Sequence, residues 1–177
     1  MSDNIVINVT FAGIGGQGVL KASDILADAA FRAGYDVKKS EIHGMSQRGG
    51  SVTSDVRIGK SVLSPMVPPG EADFLVVLAP EEIEANRHRL AQPAQCCEDN
   101  SCCARSAGGV LIDTSIISED QLEDKRSLNV FLLGALSAHV DIAGEHWLAA
   151  IRAALPAKVH EVNERAFAAG RLAAGSI

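Results

Sequence analysis

Residues 5–11, IVINVTF, are short, apolar and rich in β-branched side chains, the pattern of a buried strand. The period then changes. From Val19 to Ala33 the apolar positions are Ala22, Ile25, Leu26, Ala29, Ala30 and Ala33, the i, i+3, i+4 series of an amphipathic helix. Gly34 follows where a helix-ending glycine belongs. Tyr35 to Ile42 is a second strand candidate, so residues 5–42 are expected to form a β–turn–α–β unit.

Residues 51–59, SVTSDVRIG, alternate, with Val52, Ser54, Val56 and Ile58 on one face of a third strand. The prolines and glycines of residues 59–73 predict a short strand and then an irregular connection. FLVVLAP at 74–80 reads as a fully buried strand closed by Pro80, EEIEANRHRL as a polar surface helix, and VLIDTSII at 110–117 as another buried strand. LNVFLLGALSAHV at 128–140 is expected to begin as a strand and turn helical after Gly134. Trp147, Leu148, Ile151 and Leu155 share one helical face, and a last helix after Pro156 carries Val159, Val162, Ala166, Ala169 and Ala173. Alternating strands and helices predict an α/β class: a three-layer α/β/α, Rossmann-like domain with a mostly parallel sheet. A single domain is expected over residues 1–177, with an inserted loop at about 92–108.

Composition narrows the partners. The 177 residues are 47% hydrophobic and 21% charged, with a net charge of −6, as in a soluble globular protein. The acidic balance argues against non-specific nucleic-acid or anionic-membrane binding. No apolar run reaches membrane-spanning length, and MSDNIVINVT lacks the basic start of a signal peptide, so a cytoplasmic protein is expected.

Gly13, Gly15 and Gly18, with Gly16 and Gln17 between them, give the spacing G-x-G-x-x-G between a strand and a helix. Glycine there permits a sharp turn and close approach of a ligand, and the helix N-terminus offers N–H groups to a phosphate. A dinucleotide site also needs an acid about 20 residues later. Lys38 and Lys39 occupy that region and Glu41 comes late, so the fingerprint is incomplete. The turn reads either as a ligand cradle or as a tight turn needed for packing.

The stretch HGMSQRGG at 43–50 concentrates donors, His43, Ser46, Gln47 and Arg48, among Gly44, Gly49 and Gly50. Arg48 supplies a planar fork suited to carboxylate or phosphate. Both stretches are expected at the carboxyl ends of neighbouring strands, as one edge that meets a ligand or a partner.

Here the chain resembles a known family. GIGGQGV, then SEIHGMSQRGGSVTSDVRIG, then SPMVPPGEADFLVVLAPEE are similar to the gamma-type domain of 2-oxoacid:ferredoxin oxidoreductases. NVFLLGALSA and VNERAFAAG extend the resemblance over nearly the whole chain except about residues 92–108, and HGMSQRGG most resembles the beta subunit of the indolepyruvate type. The resemblance implies a complex that oxidatively decarboxylates a 2-oxo acid with coenzyme A and reduces ferredoxin. It places thiamine diphosphate, Mg²⁺ and iron–sulfur clusters on a larger alpha subunit, with no cofactor on this chain, which would be an accessory partner inactive alone. The sequence agrees in lacking a C-x₂-C-x₂-C run or a recognisable diphosphate–metal cradle. The alternatives are a gamma subunit of a pyruvate, 2-oxoglutarate or ketoisovalerate enzyme, a stand-alone nucleotide-binding protein, and an interaction domain without a ligand.

Cys96, Cys97, Cys102 and Cys103 fall in CC-x₄-CC, which matches no standard zinc or ferredoxin spacing, and the segment reads as an inserted surface loop. His88, His139, His146 and His160 are scattered and read as solvated or core histidines; Asp113 either faces a crevice or caps the next turn.

Overall fold

A computed structural model describes residues 5–44, 49–92, 108–117, 122 and 124–174. The chain runs β1 (Ile7–Ile14), α1 (Val19–Arg32), β2 (Asp36–His43), β3 (Ser51–Gly59), β4 (Phe74–Val77), α2 (Ile83–Asn86), β5 (Val110–Ile112), α3 (Leu128–Ser137), α4 (Gly144–Ala154) and α5 (His160–Ala173). The five strands form one sheet in the order β2-β3-β1-β4-β5. β4 pairs parallel with β1 and with β5, while β3 is antiparallel to both β1 and β2. β2 therefore runs the same way as β1, and β3 alone opposes the other strands.

The expected β–turn–α–β unit differs in one respect. α1 does not cross to a neighbouring parallel strand; β3 turns back from β2 and inserts beside β1, with Ile14 opposite Ser51. Antiparallel strands need only a short hairpin, whereas a parallel neighbour needs a crossover.

Alternation along the strands sends Val9, Phe11, Val56, Ile58, Val76 and Ile112 to one face, where they join the main core with α1, α3, α4 and α5. α1 lies over β1, β2 and β3, α3 lies against β4 and β5, and α4 and α5 pack on α1 and α3 in turn. The other face carries a smaller cluster, Ala12, Leu75 and Val77, with Ile83, Leu90 and Leu111. α2 covers it as one short helix flanked by 3₁₀ turns, not the continuous helix the sequence suggests. This completes the α/β layering.

That second face also holds a polar network. Asp55, buried, accepts from the Thr10 hydroxyl at 2.9 Å, from Arg89 at 3.3 Å and from the Val67 N–H at 3.3 Å. Arg57 donates to Asn8 and to the carbonyls of Ser64 and Met66. Residues 60–72 are thus laid along the sheet by side chains of β3, without the short strand expected there.

The expected strand over 110–117 closes at Ile112, where Asp113 accepts the Ser115 N–H at 2.6 Å and caps a 3₁₀ turn. The largest correction concerns residues 128–140. They are helical from Leu128, and Gly134 lies inside α3 rather than at a strand–helix boundary. Every residue from Asn129 to Ser137 is buried, because α3 has the sheet on one side and α5 on the other. A helix covered on all sides is apolar all round and loses the periodicity that announces a helix.

Candidate functional site at the glycine turn

β1 ends, and β3 begins, at the same edge of the sheet. The Gly15 N–H donates to the Gly50 carbonyl at 3.0 Å, and the Gly44 N–H donates to the Ser51 carbonyl at 2.9 Å. The glycine turn and the 43–50 stretch meet where Gly15 contacts Gly50, but not at the carboxyl ends of neighbouring strands as expected: β3 lies between β1 and β2, and the contact is made at the amino end of β3. Ser46, Gln47, Arg48 and the His43 side chain lie outside the described residues, as do all four cysteines.

The glycines serve different purposes. A Cβ on Gly13 would sit 2.8 Å from Val19 Cγ2 and 3.1 Å from Leu78 Cβ, so this glycine lets the strand meet the helix and the residue that follows β4. Gly16 and Gly18 have φ of 97° and 83°, the left-handed region that favours glycine. A Cβ on Gly18 would also lie 2.5 Å from Asn129 Nδ2. Gly15 has room: among the described residues its nearest neighbour would be the Gly50 oxygen at 3.7 Å.

Gln17 turns inward. Its side-chain oxygen accepts the Ile14 N–H at 2.8 Å, and its own N–H donates to the Ile14 carbonyl at 3.1 Å. The Gly15 N–H is therefore occupied by the hairpin, and the Gln17 N–H within the turn. What remains is the first turn of α1, which has no acidic residue and no side-chain cap, so the helix dipole is uncompensated there. A cleft of about 420 Å³ opens at this point, lined by Ile14, Gly15, Gly16, Val19, Leu20, Lys21 and Val52 among others. Its walls are mainly aliphatic, with glycine backbone along one side and Lys21 as the charged side chain.

The lysines at the place a ribose-binding acid would take are committed elsewhere. Lys38 pairs with Asp36 at 3.0 Å, and Lys39 binds both Asp24 of α1 and Glu41. Partial burial opposes the charge on Lys39, but its hydrogen bonds to Asp24 and Glu41 hold its pKa above the usual lysine value. β3 also stands between β2 and β1, so the end of β2 is not beside the glycine turn as it is in a dinucleotide-binding unit.

Two contributors escaped the sequence reading. Glu82, just beyond β4, accepts from the Ser51 hydroxyl at 2.8 Å and from Asn86 at 3.1 Å, tying the start of β3 to the α2 side. Asn129, at the start of α3, donates to the Gly18 carbonyl at 3.3 Å. Its signal was a polar residue inside the otherwise apolar LNVFLLGALSA. Of the histidines, His139 packs against Phe74 and His160 contacts the Leu155 carbonyl at 2.7 Å.

The sequence profile of a family described as pyruvate ferredoxin/flavodoxin oxidoreductase matches residues 8–173. The indolepyruvate oxidoreductase subunit IorB of Thermococcus kodakarensis is 34% identical over 94% of this chain and 95% of its own length. The pyruvate/ketoisovalerate oxidoreductases common subunit gamma of Pyrococcus furiosus is 30% identical over 78% of this chain and 70% of its own. Among solved structures, the keto/oxoacid ferredoxin oxidoreductase gamma subunit of Geobacter sulfurreducens has a TM-score of 0.71 at 24% identity, covering 97% of this chain and 99% of that one. The 2-oxoglutarate:ferredoxin oxidoreductase of Magnetococcus marinus gives a TM-score of 0.76 at 21% identity, covering 97% of this chain but 31% of that one, where the fold is one part of a longer polypeptide.

Proposed function

Because this chain belongs to the pyruvate ferredoxin/flavodoxin oxidoreductase family, we propose that it is the small, accessory subunit of an indolepyruvate-type 2-oxoacid:ferredoxin oxidoreductase. It works in the cytoplasm beside a larger alpha subunit that carries thiamine diphosphate, Mg²⁺ and iron–sulfur clusters. The complex converts a 2-oxo acid and coenzyme A to an acyl-CoA and carbon dioxide, and passes the electrons to ferredoxin.

The observation that carries this reading is end-to-end similarity to a small subunit: 34% identity to IorB over 94% of this chain and 95% of that one. The identity to the Pyrococcus furiosus gamma subunit, 30% over 78% of the chain, supports a pyruvate- or ketoisovalerate-type enzyme less well. This chain's own residues do not fit the cofactors. Clusters need spaced cysteines, and the cysteines here are two adjacent pairs. Among the described residues no three His, Cys, Asp or Glu side chains gather into a metal-binding group. When bound on the alpha subunit, the cofactors supply carbanion stabilisation and electron transfer. The share of this chain is binding and positioning.

The edge proposed for that role is the glycine turn, Gly13 to Gly18, with the 43–50 loop, including His43, Ser46, Gln47 and Arg48. It meets the alpha subunit or an anionic ligand held there. The occupied N–H groups and aliphatic cleft favour this over a stand-alone nucleotide cradle.

Co-expression with the alpha subunit tests the reading. The two chains are expected to co-purify, and ferredoxin reduction from indolepyruvate and coenzyme A is expected to need both. Reduction of ferredoxin by this chain alone, or failure to co-purify, overturns it. A kcat/KM higher for pyruvate than for indolepyruvate moves the assignment to the pyruvate-type gamma subunit.

A further inference from the structure

Asn129 is 6% exposed and belongs to α3, far in sequence from the glycine turn, yet its side chain reaches that turn. Its Nδ2 donates to the Gly18 carbonyl at 3.3 Å, and its Oδ1 accepts the Val130 N–H at 2.9 Å. The same Gly18 carbonyl accepts the first hydrogen bond of α1, from the Ala22 N–H at 2.9 Å. Gly18 is the N-cap of α1, lies at φ 83° and ψ 27°, and has no side chain with which to cap. The space a Cβ would take there is filled by Asn129 itself, whose Nδ2 would be 2.5 Å away.

From these contacts we infer that Asn129 is a positioning residue. By hydrogen bond and by contact it fixes Gly18 in the left-handed conformation, and so sets the direction in which the first turn of α1 faces the cleft. This rests on the reading of the glycine turn as the contact edge. It also makes that edge a composite: its backbone comes from the β1–α1 connection, and its orientation from the buried helix α3. Glycine enters the left-handed region about as readily as the right-handed one, so contacts with its surroundings decide which it keeps. Here the surroundings are one amide group bonded to both the turn and its own helix.

The two bonds can be separated. In Asn129→Asp a carboxylate oxygen still accepts the Val130 N–H, and its charge suits the N-terminus of α3, but no donor faces the Gly18 carbonyl. In Asn129→Ser the side chain is too short to reach it. Each variant is made in the full chain and compared with wild type for melting temperature, for the amide resonances of residues 15–21, and for affinity toward the co-expressed alpha subunit. Asn129→Asp sets a carboxylate oxygen against the Gly18 carbonyl and is expected to fold with a lowered melting temperature, shift the resonances of Gly16, Gly18 and Leu20, and bind at least about three-fold more weakly. Asn129→Ser is expected to shift the same resonances. Unchanged resonances with affinity within about two-fold of wild type overturn the inference. So does loss of the fold in both variants, which means a structural role only. Leu20→Asp, in the cleft wall, tests the edge separately. If it binds the alpha subunit as wild type does, the contact edge is wrong, whereas the resonance shifts report on Asn129 alone.

Discussion

Gly134 of α3 and Gly170 of α5 mark the point where two helix backbones touch. A Cβ on Gly134 would lie 2.1 Å from the Phe167 carbonyl oxygen, and a Cβ on Gly170 would lie 1.9 Å from the Phe131 carbonyl oxygen. Backbone atoms cannot rotate aside as a side-chain tip can. Gly134→Ala or Gly170→Ala must push the helices apart, with an expected destabilisation of about 1–3 kcal/mol or more in urea unfolding. Gly144→Ala is the control. Its new methyl would meet its nearest neighbour, an Arg171 guanidinium nitrogen, at 3.6 Å, and it should change stability by no more than about 0.5 kcal/mol. Equal losses in all three would contradict the crossing.

The turn glycines should rank by mechanism. Gly18→Ala combines strain at φ 83° with a clash against Asn129 and should lower the melting temperature most. Gly16→Ala meets no described atom within 4 Å but is held at φ 97°, so it should cost about 1–2 kcal/mol in strain alone. Gly15→Ala, without a positive φ, should be mildest. Thermal melts of the three single variants check the order, and Gly15→Ala as the worst would refute it.

Acid should loosen the outer helices. Arg152 of α4 grips Glu164 of α5 with two bonds, 2.6 and 3.1 Å long. Those bonds hold the Glu164 carboxyl below its ordinary value of 4.5, against a smaller opposing effect of burial. A lowered carboxylate pKa stabilises above the unfolded value, and that stabilisation is lost as pH falls through the folded value. Wild type should therefore lose stability below about pH 4.5 more steeply than Glu164→Gln. Urea midpoints between about pH 6 and pH 3 measure this, and parallel curves would exclude the pair as the cause. The effect should be small, because the pair is partly exposed and salt-screened.

Replacing Cys96, Cys97, Cys102 and Cys103 together with serine should leave metal content, melting temperature and complex activity unchanged. Their spacing fits no standard metal site, and their segment reads as an insertion. A large loss in any of the three would reveal a functional thiol or metal site.

The sequence announced elements that have one wet side and concealed those that do not. α1 kept its i, i+3, i+4 stripe because solvent bounds its outer face, and its span was read to within a residue. α3 is buried all round, so LNVFLLGALSA carried no period to distinguish helix from strand. The insertion of β3 beside β1 was equally hidden, since alternation tells which side of a strand is buried and not which strand it will pair with. At the site, glycine spacing located the turn but could not say what used its donors. That depended on Gln17 folding back on Ile14 and on Gly50 arriving from the hairpin. Asn129 stands out as a polar residue in an apolar run, but its contact with Gly18 follows only once residues 128–137 are known to be a helix.

The central position of α3 also orders events during synthesis. Val76 and Ile112 are completely buried in the core that α3 completes, but α3 ends only at Ser137. At a translation rate of about 5–20 residues per second, a chain that has just finished β5 waits about one to five seconds for its cover. In that interval the β4–β5 half of the sheet emerges as a bare apolar surface, while the β1–β3 half already has α1 to close over it. The nascent protein is therefore lopsided, and its window for misassociation is set by the distance along the chain between β5 and α3.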